Sequence, residues 1–118
     1  MTDSDTATAL GSGDVPVLAT PRLIAWLEAA TVRAASGFLS PGQTTVGTAV
    51  RVEHLRATPV GRTVDTSAAP PPAASGRRLT FAVSAVDGAG EVIAPGEIDR
   101  AIVDRDRFLA ATEADQPG

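Results

Sequence analysis

Ala19-Thr20-Pro21-Arg22-Leu23-Ile24-Ala25-Trp26-Leu27-Glu28-Ala29-Ala30-Thr31-Val32-Arg33-Ala34 is the stretch that decides the fold. A hydroxyl residue able to cap free backbone amides precedes a proline, whose fixed φ and missing N–H suit the first helical position. A helix is expected to begin at Thr20. Leu23, Ile24, Leu27, Ala30, Thr31 and Ala34 then recur at the i, i+3, i+4, i+7 spacing of an amphipathic helix, which runs to about Gly37.

Everything after this helix reads as strand and turn. Beyond Ser40-Pro41-Gly42, Thr45 to Leu55 alternates, with Val46, Thr48, Val50, Val52 and His54 facing one way and Arg51 and Glu53 the other. Thr58-Pro59-Val60-Gly61 suits a type I turn that returns the chain as a strand over Arg62 to Ser67. The proline-rich stretch 68–76 reads as loop, because it lacks both ladder donors and large apolar residues. Leu79, Phe81, Val83 and Ala85 mark a further strand over Arg78 to Val86, closed by Asp87-Gly88-Ala89-Gly90. Glu91 to Ala94 and Ile98 to Val103 supply the last strand, with a bulge expected at Pro95-Gly96. One long helix followed by antiparallel strands predicts an α+β fold with the helix packed on one sheet face.

Ahead of the helix, residues 1–14 lack periodicity and Gly11-Ser12-Gly13-Asp14 reads as loop. The organisation expected is therefore a flexible segment over 1–14, one domain over 15–110 and a flexible tail over 111–118.

Composition narrows the function. A chain of 118 residues makes one domain that buries roughly 65% of its unfolded surface, a modest core that a second subunit would extend. With no cysteine and a single histidine, disulfide, thiolate and zinc chemistry are not expected. The net charge is −4 and all ten basic residues are arginines scattered along the chain, which argues against a nucleic-acid partner. The acidic start Met1-Thr2-Asp3-Ser4-Asp5 is unlike a secretory signal, and no apolar run approaches a membrane span. A cytoplasmic location is expected.

Three residues stand out for chemistry. Thr20, Ile24 and Glu28 fall on one side of the helix. If that side packs on the sheet, the Glu28 carboxyl loses water and its pKa should rise, giving a usable base or nucleophile; the alternative is a solvated glutamate at the edge of the apolar stripe. His54 is in phase with the valines, so it points where the helix packs. It is either an acid–base group or a strand-end histidine with one satisfied hydrogen bond. Free amides at Thr20 to Leu23 would favour negative charge developing on a thioester oxygen, or they mark an ordinary helix start. Gly47 within the strand either weakens it or admits a close neighbour. There is no G-x-S-x-G elbow and no phosphate-binding glycine loop.

Val17-Leu18-Ala19-Thr20-Pro21 with Glu28, Gly47-Thr48 with His54, and Ala57-Thr58-Pro59-Val60-Gly61 occur in that order. Gly76-Arg77-Arg78-Leu79-Thr80-Phe81, Asp87-Gly88 and Arg100 follow. Together they resemble the fluoroacetyl-CoA thioesterase-like family of the hot-dog superfamily over roughly residues 15 to 108. The resemblance implies a hot-dog fold, in which a long helix is wrapped by an antiparallel sheet. It also implies thioester hydrolysis of an acyl-CoA by Thr20, Glu28 and His54, without metal or organic cofactor, with Gly47 and Arg100 lining the substrate site. A homodimer or dimer of dimers is implied as well.

The chain departs from the family pattern in several places. Residues 1–14 show no strand ahead of the helix, Glu97-Ile98-Asp99 offers no histidine before Arg100, and 68–76 is longer than the usual turn. The aromatic N-terminal lid that the resemblance associates with fluoroacetyl selectivity has no counterpart in Met1 to Val17, so a small or medium acyl-CoA other than fluoroacetyl-CoA is the expected substrate. A non-catalytic hot-dog module that binds acyl-CoA is the alternative.

Overall fold

The computed structural model describes residues 1–70 and 76–114. A 3-10 turn (Asp3–Asp5) and helix α1 (Ala7–Leu10) precede helix α2 (Thr20–Ala35). Strands β1 (Gln43–Val52), β2 (Val64–Ala69), β3 (Arg78–Asp87) and β4 (Val92–Asp104) follow, then helix α3 (Arg105–Ala114). The strands form one antiparallel sheet in the order β1-β4-β3-β2, and α2 lies on one face of it as its periodicity predicts.

Leu23, Leu27, Ala30, Thr31 and Ala35 form the buried row of α2. They meet the alternate residues Leu79, Phe81, Val83 and Ala85 of β3 and Ile98 and Ile102 of β4. Each leucine that leaves water completely in this row, as Leu23 and Leu27 do, stabilises the fold by roughly 2 kcal/mol. Thr20, Ile24 and Glu28 lie beside this row rather than in it, so they reach the flank where β4 meets β1.

The strands differ from their sequence reading in register. β1 carries a bulge between Gly47 and Ala49, so Thr48 has no ladder partner. One extra residue flips the phase of everything beyond it. Thr45 and Gly47 before the bulge therefore share the helix-facing side with Val50 and Val52 after it, while Val46 faces away. The regular strand ends at Val52, yet Glu53 N–H donates to the Pro95 carbonyl and Leu55 N–H to the Ile93 carbonyl, at 3.2 and 2.8 Å. These bonds carry His54 along β4. In β4 itself, Pro95 and Gly96 pair regularly with Ser84 and Val83, and the irregularity falls instead at Ile93, between the pairs Ala85–Ala94 and Val86–Val92. The turn after β1 closes one residue later than expected: Arg62 N–H donates to the Pro59 carbonyl, because Gly61 N–H, the donor the expected turn needs, goes to the Met1 carbonyl.

Both ends of the chain carry more structure than expected. Residues 1–14, read as a flexible segment, hold the two short helical turns and a buried Thr6 that bridges to Leu18. Ala7 N–H donates to the Val17 carbonyl and Ala19 N–H to the Asp5 carbonyl, and Arg22 Nε lies 3.1 Å from Asp5 Oδ1. Such short turns leave no periodicity to read. Residues 105–114 form α3, so the helix overruns the expected boundary at 110; the middle of the 68–76 loop and the end of the 111–118 tail lie outside the described residues.

Gly96 sits where β4 and β1 backbones press together. A Cβ there would fall on the Arg51 carbonyl oxygen and lie 2.8 Å from Val52 Cα. Gly96→Ala should therefore destabilise the protein by about 2 kcal/mol or more, read as a lower urea midpoint at unchanged slope.

Candidate active site

Ala19, in extended geometry, is the residue that caps α2, and its carbonyl accepts from Leu23 N–H at 3.0 Å. Thr20 is thus the first helical residue rather than the cap, and its hydroxyl is free for another partner. That partner is His54: Thr20 Oγ1 and His54 Nδ1 are 2.8 Å apart. Pro21 has no N–H and Leu23 has used its own, so the start of α2 keeps only the amides of Thr20 and Arg22 without a partner among the described residues.

His54 is half-buried, and its Nε2 is fully enclosed without a hydrogen-bond partner. Burial lowers its pKa below the ordinary 6.5, opposed by a weaker upward pull from the Arg56 backbone, which does not reach hydrogen-bonding geometry. Near neutral pH the ring is therefore uncharged, and one of its nitrogens is a proton acceptor. With Thr20 O–H donating, Nδ1 is that acceptor.

The helix carries Glu28 two turns beyond Thr20, roughly 12 Å along its axis. Sequence left Glu28 either desolvated against the sheet or solvated at the edge of the apolar stripe; the residue keeps 39% of its side chain exposed and its carboxylate faces the Arg100 guanidinium, with Glu28 Oε2 and Arg100 Nη1 3.5 Å apart. Gly47 lies beneath it, and a Cβ there would be 2.8 Å from Glu28 Oε2 and 3.5 Å from Arg100 Nη1. Close approach is thus the reason for this glycine. Arg100 is only 7% exposed; its Nε–H donates to Thr45 Oγ1 at 2.8 Å and its Nη2–H to the Thr45 carbonyl at 3.1 Å.

The structure brings Thr20 and His54 together, and separately Glu28, Gly47 and Arg100. Thr45 joins the second group without having been picked out from sequence. Its one signal was a position two residues before Gly47 on the same strand face. A cleft of about 320 Å³ opens beside Thr20 and His54, at the lower end of ligand-pocket volumes. Residues 12–15 line one side and Leu55, Arg56 and Ala57 the other. This arrangement supplies a hydroxyl hydrogen-bonded to a neutral imidazole, two free amides at a helix start and a carboxylate along the same helix. Those are the components of acyl transfer.

A family model described as fluoroacetyl-CoA-specific thioesterase matches residues 1–106. The chain is 41% identical over 101 residues to a fluoroacetyl-CoA thioesterase of Streptantibioticus cattleyicolor, a match that spans 86% of this chain and 71% of that protein. Among solved structures, the fluoroacetyl-CoA thioesterase FlK superposes with a TM-score of 0.89 at 33% identity, covering 99% of this chain and 90% of its own. A Thermus thermophilus hypothetical protein described as a thioesterase superfamily member gives a TM-score of 0.88 at 25% identity, covering 97% and 83%. The fold is the hot-dog fold.

The single histidine makes its titration directly readable. Its NMR midpoint should fall below 6.5. Because the unfolded chain binds a proton that the fold refuses between 6.5 and the folded pKa, unfolding free energy should decline as pH drops through that window. His54→Gln should remove this part of the pH dependence.

Proposed function

The chain belongs to the fluoroacetyl-CoA-specific thioesterase family, and we propose that it hydrolyses a small or medium acyl-CoA to the free acid and CoA, with Thr20, Glu28 and His54 as the catalytic set. The observation that carries this reading is the 2.8 Å contact between the Thr20 hydroxyl and a neutral His54 imidazole.

As the Thr20 hydroxyl oxygen attacks the thioester carbonyl, His54 Nδ1 takes its proton. The amides of Thr20 and Arg22 face the start of α2, where a developing oxyanion is stabilised. Collapse of the tetrahedral species breaks the C–S bond, and the imidazolium returns the proton to the departing sulfur. The attacking oxygen belongs to Thr20, to Glu28, or to a water that Glu28 activates; the Glu28 carboxylate brings no proton and takes that of an activated water itself, so with either of these the sulfur leaves as thiolate. In the first two cases water then hydrolyses the acyl-enzyme. Gly47 and Arg100 line the acyl end of the site. Residues 12–15 place Ser12, Gly13, Asp14 and Val15 along the cleft, with no aromatic ring there, which favours an acyl group other than fluoroacetyl.

We also propose a homodimer acting on cytoplasmic acyl-CoA. Among the described residues no helix besides α2 packs broadly on the sheet, and the radius of gyration of 16.3 Å exceeds the value of about 13.5 Å for a compact domain of this length. A second copy would complete the core. Light scattering on the purified protein should give twice the chain mass.

Purified protein should release free thiol from acyl-CoAs in a panel graded by chain length. His54→Ala and Glu28→Gln should each lower kcat/KM by about 100-fold or more, the scale of one general acid–base group, while CoA affinity is retained. The acid limb of wild-type kcat/KM should lie below pH 6.5, since only the neutral imidazole accepts a proton. An intact acyl-enzyme mass after rapid quench, absent in Thr20→Val, would assign the nucleophile to Thr20. Retained CoA binding without any thiol release would leave a binding module instead of an enzyme.

A further inference from the structure

We propose that Thr45 is a positioning residue of this site, holding the buried Arg100 guanidinium so that a single N–H, and not its two-pronged edge, faces Glu28. The proposal rests on the roles given above to Glu28 and Arg100.

A guanidinium carries five donors in a rigid fork, and it grips a carboxylate best through two parallel N–H bonds. Arg100 sits in a row otherwise filled by Ile98 and Ile102 and is 7% exposed, so its donors need partners within the protein. Thr45 takes one whole edge of the fork. Its hydroxyl accepts Nε–H at 2.8 Å and its carbonyl accepts Nη2–H at 3.1 Å. What remains is the far end of the fork, two N–H on Nη1 and one on Nη2, of which only Nη1 reaches Glu28, at 3.5 Å, a long single contact.

Strand register makes this arrangement possible. Gly47 pairs with Arg100 and Thr45 with Ile102 in the β1–β4 ladder. Thr45 therefore lies diagonally from Arg100 on the helix-facing side. Glu28 is the group this arrangement sets. It is held over Gly47 by one weak contact, keeps 39% of its side chain exposed, and retains oxygen lone pairs for substrate or water. Without the Thr45 hydroxyl, the Nε–H is orphaned inside the protein and its nearest charged acceptor is Glu28. The guanidinium would turn to close a two-pronged pair that takes the carboxylate out of use.

Thr45→Val keeps the backbone acceptor and the approximate side-chain volume but removes the hydroxyl, whereas Thr45→Ser keeps it. Thr45→Val should lower kcat by about tenfold, the equivalent of one misdirected charge-assisted hydrogen bond, with KM little changed. Thr45→Ser should restore kcat. In an Arg100→Lys background, which has no Nε–H, Thr45→Val should have no further effect on kcat. Thermal melts of all variants separate loss of folding from loss of positioning. Independently of turnover, the Arg100 Nε–H resonance should be protected from solvent exchange in wild type and Thr45→Ser and should change in Thr45→Val.

Wild-type kcat in Thr45→Val, equal losses in the serine and valine variants, or an undiminished loss in the Arg100→Lys background would each overturn the proposal. A wild-type protein that releases no thiol would sink the thioesterase reading; the Arg100 resonance would then decide the Thr45 arrangement alone.

Discussion

An arginine in an apolar row constrains more of this molecule than any other single residue. Along the core face of β4, Ile98 and Ile102 are covered by α2 and β3, and Arg100 stands between them. A charge so placed is tolerated only when its donors are met. Thr45 meets two of them and Glu28 stands opposite a third. The need for Gly47 follows, because the carboxylate that reaches the arginine lies where a β1 side chain would project. The bulge at Thr48 is local to this crowding: it turns Val52, which packs against the core, and not Arg51, to the inner face beyond Gly47.

The fold was legible where burial imposes a period. Leu79, Phe81, Val83 and Ala85 are buried as their alternation required, and Leu23, Leu27 and Ala30 likewise in the helix. It was not legible where a single residue shifts the phase. Reading Thr45 to Leu55 as one alternation put Val46 and Val50 together, and the bulge sets them on opposite faces. His54 nevertheless points at the helix, because the backbone bonds of Glu53 and Leu55 to β4 hold it there beyond the regular strand. The N-terminal segment was hidden for a different reason. Its order comes from bonds to residues 17–19 and to the Arg62 carbonyl, contacts across the chain that leave no local pattern.

The candidate residues could be named from sequence, but their partners in space could not. A threonine before a proline at a helix start reads as a cap. Ala19 takes that place, and the consequence is chemical: a capping hydroxyl is committed to the backbone, whereas this one is free to face an imidazole. Glu28 was read as either desolvated or solvated, and neither reading named the guanidinium it faces, which comes from a residue 72 positions away in sequence. No helix-face argument reaches that far.

Thr20 and Glu28 share a helix face yet stand roughly 12 Å apart along the axis, and this separation has an electrostatic consequence. Were the carboxylate hydrogen-bonded to His54, it would stabilise the imidazolium and raise the histidine pKa. The ring would then hold its proton to a higher pH. Instead Glu28 faces Arg100, and His54 has only a hydroxyl and its own burial to set its charge, which lowers its pKa. Eight residues of helix thus keep a neutral acceptor at one end of the site and a charge-paired carboxylate at the other.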